Sequence, residues 1–447
     1  MRLAEKYDLN VPRYTSYPTA PHFSPAVDAA TYRGWLAGID PTSPLSLYFH
    51  IPFCDSMCWF CGCYTKVVQR YEPVRAYLDV LATEIDLVSA ALPGRFTARH
   101  LHWGGGSPTL LRPDDWLKLI GHLRRRFHIA ADAELAVELD PRDTTEAYVR
   151  ALAEAGVTRV SIGVQDFDPE VQSAINRHQP FEVVERVCAW LRTHGIADIN
   201  LDLMYGLPHQ TVERVVAMVE TAHRLAPARL ALFGYAHVPW MKSHQRLIDE
   251  TALPAGPERL AQFAGAAGRL DALGYRAVGL DHFARPDDAL ARAADAGRLR
   301  RNFQGYTSDD APVLLGLGAS AIGSLPEGYV QNVAPLRDYA GRVTAGRLAV
   351  ARGIALGPED RLRGHVIERL MCTLDVDVAE ACGTHGFAAD ALDQAWDRLG
   401  PLQADGLVTV DGNRIAVTEA GRPFVRLVAA AFDAYLASGQ ARHSRAV

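Results

Sequence analysis

Leu45-Ser-Leu-Tyr-Phe-His-Ile51, then Pro52-Phe53-Cys54-Asp-Ser-Met-Cys58-Trp-Phe-Cys61-Gly-Cys63, is the stretch from which the rest of the chain can be read. The first seven residues form a short, nearly continuous apolar run, as expected of a strand buried on both faces. Four cysteines crowd the loop that follows. In a parallel (β/α) array the functional loops lie at the C-terminal ends of strands, so this loop is placed at that face.

The same alternation continues downstream. Leu101–Trp103, Leu135–Glu138, Arg159–Val164, Ile199–Met204 and Arg229–Phe233 read as further buried strands, with another candidate at Tyr275–Leu280. Between them Val74–Ala90, Asp114–Phe127, Glu146–Ala155, Phe181–Thr193 and Val212–Leu225 read as helices. Pro113 before two aspartates, and Thr144 before Glu146, suit helix starts. Repeated strand–helix units imply parallel strands with right-handed crossovers. The pattern suits a complete or partial (β/α) barrel, with a doubly wound sheet as the alternative.

The flanks read differently. Residues 1–35 are dense in Pro and Tyr without periodicity, as in an ordered arm packed on another part of the molecule. Beyond residue 350, helices at Glu359–Leu370 and Ala389–Leu399 precede a hairpin, Gly406–Val410 and Arg414–Val417 about Asp411-Gly412. A last helix is expected over Gly421–Leu436. The expected organisation is an arm (1–35), a barrel (36–350) and a smaller helical, winged-helix-like C-terminal domain (351–447).

Composition narrows the functional class. The 447 residues are 49% hydrophobic and 22% charged, with net charge −6, an ordinary balance for a soluble globular protein. A mildly acidic chain gives no electrostatic reason to expect nucleic acid or an anionic membrane as partner. No signal peptide and no membrane-length apolar run is visible. A cytoplasmic protein is expected, with monomer as the default. There a cysteine cluster reads as metal binding or catalysis rather than disulfides.

Closely spaced thiolates select zinc or iron–sulfur. Structural zinc sites usually use two separated ligand pairs, whereas Cys54, Cys58 and Cys61 form one cluster that can hold three irons of a cubane from a single loop. The fourth iron would stay open for substrate. Cys63 could be a fourth ligand, a catalytic thiol or a small hydrophobe; a non-ligand near the site is favoured, because a fourth ligand would close the catalytic position. Cys188, Cys372 and Cys382 read as buried inert thiols.

Cys-x3-Cys-x2-Cys after a first strand resembles the radical S-adenosylmethionine superfamily. Pro12–Pro18, His50–Cys54, Cys61-Gly62-Cys63, Gly163–Phe167, Asp281–Asp288 and Asn302–Thr307 narrow the resemblance to oxygen-independent coproporphyrinogen III oxidases over nearly the whole chain. It implies a partial (β/α)6 barrel, a [4Fe–4S] cluster on Cys54, Cys58 and Cys61, and two molecules of S-adenosylmethionine. The implied reaction turns two propionates of coproporphyrinogen III into vinyls, giving protoporphyrinogen IX in haem synthesis. It would run through a 5′-deoxyadenosyl radical and need a low-potential electron donor.

By the same resemblance Gly105, Gly106 and Ser107, in the run Trp103–Pro108, bind the methionine part of the cofactor. Read without it, the run could be a tight turn. Glu138, Gln165, Arg177 and Asp202 match cofactor contacts, and Tyr48, Phe60, Ala236 and Ile322 match further ones to the adenines or the second cofactor. Glu138 and Asp202 lie inside apolar strands and need partners whatever their role; structural ion pairs are the alternative. Four propionates call for cations, and Arg13, Arg285 and Arg301 are candidates. Arg13 and Cys63 are the candidates for catalytic residues. A haem-binding or haem-trafficking relative without oxidase activity is the rival reading.

Overall fold

The computed structural model describes residues 2–7 and 9–436. Six parallel strands form its centre: β1 (Leu45–Ile51), β2 (Thr97–Gly105), β3 (His128–Leu139), β4 (Arg159–Gln165), β5 (Asp198–Tyr205) and β6 (Arg229–Gly234). Their spatial order follows chain order without reversal. A doubly wound sheet needs a reversal, so the winding is that of a barrel. All seven residues of β1 are buried, as a strand covered on both faces requires.

Six more strands extend this sheet. Beyond β6 lie β7 (Arg276–Val278) and β8 (His282–Ala284), both antiparallel, with β8 next to β6. Beyond β1 lie β9 (Val313–Leu317), parallel to it, then the antiparallel β10 (Ile322–Leu325), β11 (Gly328–Asn332) and β12 (Val350–Ala355). The two edges, β12 and β7, are not paired with one another. The barrel is therefore partial, with six parallel (β/α) units as expected. The candidate strand Tyr275–Leu280 is only the three-residue edge strand β7.

Amphipathic helices cover the outside. Helix α1 (Glu72–Ala91) buries Val74, Tyr77, Leu78, Leu81, Ile85 and Val88, the 3.6-residue stripe of a core-facing helix. Helix α2 (Pro113–Arg126) starts with proline and follows it with Asp114 and Asp115. The next, α3 (Glu146–Ala155), is capped by Thr145, whose side chain accepts from the Tyr148 amide. The expected cap, Thr144, instead donates its hydroxyl to the Asp140 carbonyl at 2.7 Å.

One buried carboxylate ties helix to sheet. Glu84 of α1 accepts from the Gly318 amide, the Asn332 side chain and the Tyr339 hydroxyl, each at 2.6 Å. Burial pushes its pKa up to about 7 against those three donors. Glu84→Ala leaves all three without their acceptor and is expected to lower stability by roughly 3 kcal/mol or more. Thermal denaturation measures this, and an unchanged midpoint would contradict it.

The C-terminal unit has its own apolar cluster. Helix Pro358–Thr373 packs on a three-stranded antiparallel sheet of Asp375–Asp377, Val408–Asp411 and Arg414–Val417. Tyr7, Val11, Tyr14 and Tyr17 of the arm belong to the same cluster, and Tyr14 donates to Asp433 at 2.9 Å. The arm is thus ordered and docked.

Two helix expectations are corrected. The helix expected over Ala389–Leu399 covers Gln394–Ala404 instead, and a short helix not expected from the sequence, Val378–Thr384, precedes it. The last covers only Val425–Ala430 after a 3-10 turn at Arg422–Phe424. It ends early because the Asp433 side chain takes the amides of Tyr435 and Leu436, a local turn that competes with the helical ladder.

Candidate functional site

The thiol loop is anchored at both ends. The Lys66 amide donates to the Pro52 carbonyl and the Val68 amide to the Cys54 carbonyl, at 2.8 and 2.9 Å, closing residues 55–65 into a loop at the β1 C-terminus. Asn176 donates to the Met57 carbonyl (2.9 Å) and Gln245 to that of Phe60 (3.0 Å). His244 meets the Cys61 carbonyl at 2.7 Å, and Lys242 donates to that of Cys63 at 3.0 Å. The loops after β4 and β6 thus both hold it.

Hydrogen-bond donors surround the sulfurs. Arg177 and Arg142 donate to Cys58 Sγ at 3.3 and 3.5 Å, and both also bind Asp140. Cys54 Sγ is 3.1 Å from the Thr65 hydroxyl. The Cys63 amide donates to Cys61 Sγ at 3.4 Å. The thiol of Cys63 also bonds Cys61, which lowers the Cys61 pKa to about 6 and raises that of Cys63. Burial pushes Cys54 up to about 12.

These residues fit an iron–sulfur cluster. Three thiols stand on one loop, two of them with guanidinium or amide donors of the kind that tune cluster sulfurs. Among the described residues no three His, Cys, Asp or Glu side chains are grouped to hold a single ion. A cubane takes its cysteines at separate irons.

The glycine run lies against this loop. The amides of Gly106 and Ser107 donate to the carbonyls of Ile51 and Phe53, at 2.8 and 2.6 Å. Gly105 has φ +107°, and a Cβ there would stand 2.3 Å from the His50 ring. That ring is fixed on both sides. Its Nε2 is 2.9 Å from the Tyr64 carbonyl, which can only accept, so Nδ1 must accept from Tyr48 Oη at 3.0 Å. Ser107 is 3% exposed and its hydroxyl meets Thr109 at 2.7 Å.

Inside the barrel Glu138 accepts from the Gly105 amide (3.1 Å) and lies 3.0 Å from His102 Nε2. Burial opposes its charge, but the His102 bond and charge hold the carboxyl below its usual pKa. Asp202 accepts from Ser161 and Asn200, both at 2.8 Å. Burial nevertheless pushes it up to about 6. Glu138 and Asp202 line one interior cavity of about 210 Å³. Gln165 ends β4 in the left-handed region at φ +70°. Tyr48 pairs in register with Gly316, whose absent Cβ leaves room for the Ile322 backbone.

A larger cavity of about 550 Å³ opens beside β6, with Ala236, Arg13 and Arg301 in its wall. Gln245 donates to the carbonyls of both Ala236 (3.2 Å) and Phe60 (3.0 Å), so one side chain joins this wall to the thiol loop. Arg285 is not part of it: its side chain is half-exposed, 3.4 Å from Asp287. That candidate is corrected, because its side chain lies at the surface directly after β8. Sequence reasoning passed over Arg142, Asp140, His102, Lys242, His244 and Gln245. Asp140-Pro-Arg142 directly after β3 was a readable signal; His102 lies within β2 itself, where nothing in the strand pattern marks it, and Lys242, His244 and Gln245 lie in a stretch after β6 without periodicity.

An uninterrupted parallel array with a three-cysteine loop at the end of its first strand defines the class as radical S-adenosylmethionine enzymes, and the family model for the radical SAM superfamily matches residues 48–222. That superfamily uses a [4Fe–4S] cluster and S-adenosylmethionine. The HemN C-terminal domain model matches residues 356–424. Oxygen-independent coproporphyrinogen III oxidase of Bradyrhizobium diazoefficiens is 51% identical over 98% of this chain and 97% of its own. Its Salmonella typhimurium counterpart is 40% identical over 98% and 95%. The solved coproporphyrinogen III oxidase (HemN) of Escherichia coli, described as a radical SAM enzyme, superposes with a TM-score of 0.91 at 39% identity, covering 96% of this chain and all of that one. The chain belongs to the oxygen-independent coproporphyrinogen III oxidase family.

No helix among the described residues is long and apolar enough to cross a membrane.

Proposed function

We propose that this chain converts coproporphyrinogen III to protoporphyrinogen IX by oxidative decarboxylation of two propionates, without oxygen, in haem synthesis. The observation that carries this is the shared wall. Gln245 joins the three-thiol loop to a cavity rich in arginine, which sets a one-electron centre beside a site suited to carboxylates.

Cys54, Cys58 and Cys61 hold the cluster. Two molecules of S-adenosylmethionine contact the Gly105-Gly106-Ser107 backbone, Tyr48, Phe60, Glu138, Gln165, Arg177, Asp202, Ala236 and Ile322. Bound together, cluster and cofactor supply a radical able to take a hydrogen atom from a propionate side chain; loss of that atom, of CO₂ and of one electron leaves a vinyl.

The chain's own groups position and enclose. Glu138 and Asp202 offer carboxylates to hydroxyl or ammonium groups, with geometry fixed by His102, Ser161 and Asn200. Arg177 and Arg142 keep positive charge at Cys58. The Ser107 hydroxyl, taken up by Thr109, shapes its loop, whose backbone does the binding. The docked arm and C-terminal unit keep water from the reacting centre. A low-potential electron donor, cytoplasmic location and a monomeric state complete the reading.

The rival, a haem-carrying relative, is separated by offering the anaerobically reconstituted protein either haem or coproporphyrinogen III. Decarboxylation of the porphyrinogen is expected. Tight haem binding with the porphyrinogen left unchanged would establish the rival instead.

A further inference from the structure

The 550 Å³ cavity is assembled from all three parts of the chain. The arm gives Asn10 and Arg13, the barrel gives Arg259, Asp281 and Arg301, and the C-terminal unit gives Arg426. Four arginines face two carboxylates, Asp281 and Glu250. Glu250 is largely exposed and bonded to His237 at 2.9 Å. Asp281 bonds His282 at 2.8 Å and lies 3.9 Å from Arg301. Among the described lining residues the arginines outnumber the carboxylates by two.

This charge is built in. The Arg301 side chain is 6% exposed and rests over the Tyr306 ring at 4.3 Å, and its Nε and Nη1 find no hydrogen-bond acceptor among the described residues. A buried guanidinium in that state is costly until an anion completes it, and its planar fork matches a carboxylate. Arg426 donates to the carbonyls of Val11 and Pro12, fixing the backbone immediately before Arg13. Arg13 in turn reaches the Gly234 carbonyl at 3.1 Å, and its exposed surface faces this cavity. Burial, reinforced by Arg13, pulls the Arg426 pKa down to about 9. Leu232, Phe233, Leu253 and Phe263 supply apolar wall beside the charge.

We propose that Arg13, Arg259, Arg301 and Arg426 form a carboxylate anchor that holds the two propionates the reaction leaves intact. This rests on the substrate class proposed above and assigns its contacts. The choice of pair follows from the chemistry. A guanidinium stabilises a carboxylate in the ground state, and that stabilisation is lost as neutral CO₂ departs. Gripping a reacting propionate in this way would raise its barrier, whereas gripping a spectator only positions the ring.

The cofactor also carries a carboxylate, so the test separates the two sources. Coproporphyrin III (four propionates), its tetramethyl ester, protoporphyrin IX (two propionates) and S-adenosylmethionine are titrated against anaerobic holoenzyme and its Arg301→Gln, Arg301→Lys, Arg13→Gln and Arg285→Gln variants. Arg301→Gln and Arg13→Gln are expected to weaken both acidic porphyrins about 10- to 100-fold. Arg301→Lys recovers part of the loss, Arg285→Gln matches wild type, the ester binds poorly to all, and cofactor affinity is unchanged throughout. The same factors appear in KM for coproporphyrinogen III. Unaltered porphyrin affinity in both glutamine variants overturns the anchor, as does an equal loss of cofactor affinity. Weakening confined to coproporphyrin shows that the reacting pair is held, and overturns the assignment to the spectator pair. Failure of the wild type to bind any porphyrin would instead remove the functional reading on which the anchor rests.

Discussion

Cys54→Ser, Cys58→Ser and Cys61→Ser are each expected to abolish both the iron–sulfur absorption and product formation, to below detection, while Cys63→Ser is expected to retain much of the cluster. Each of the three sulfurs has a donor or hydroxyl set against it by the anchored 55–65 loop or its surroundings: Arg177 and Arg142 on Cys58, the Cys63 amide on Cys61 and Thr65 on Cys54. A cubane that loses one of three protein ligands has only Cys63 as a neighbouring thiol, two residues from Cys61 and so awkwardly placed for another iron of the same cube, while Cys188, Cys372 and Cys382 are buried in other elements. Cys63 acts on Cys61 partly through its backbone N–H, which serine keeps. Iron and sulfide analysis beside the visible spectrum decides the matter. Loss of all iron from the Cys63 variant alone would show that the ligand set is misassigned.

The second large effect belongs to Gly105→Ala. A Cβ at φ +107° is strained for any L-residue, and here it would also stand 2.3 Å from the His50 ring. That ring cannot step aside without breaking its contacts with Tyr48 and the Tyr64 carbonyl. The Gly105 amide would lose its place on Glu138 at the same time. Displacement of order 1 Å in a positioning loop costs about 100-fold in rate. The expected result is at least that fall in 5′-deoxyadenosine formation with the cluster spectrum kept; a variant within a factor of about three of wild type would contradict this account of the loop.

The parallel core was legible because it obeys period and burial together. β1, α3 and Phe181–Thr193 fall where the residue pattern places them: the two helices each bury a stripe of helical period, and β1 is a short apolar run, buried throughout, that ends at the cysteine loop. Strands β9 to β12 were not legible. Gly316, Gly318, Gly323 and Gly328 punctuate them like turns, yet Gly316 and Gly328 permit close strand approach, with a Cβ meeting backbone at 2.5 and 2.0 Å. Tertiary contact overrode the local signal. The cysteine loop could be read from spacing. The arginine cavity could not, because Arg13, Arg259, Arg301 and Arg426 are dispersed along the chain and meet only through the docking of the arm and C-terminal unit.

The most direct measurement is an anaerobic assay of reconstituted, reduced protein with S-adenosylmethionine and coproporphyrinogen III, following protoporphyrin after oxidation and 5′-deoxyadenosine together. The account predicts that both form, with one deoxyadenosine for each vinyl group made. Deoxyadenosine without protoporphyrin, from protein whose cluster is intact, would contradict it: the cofactor chemistry would stand and the substrate assignment would fall.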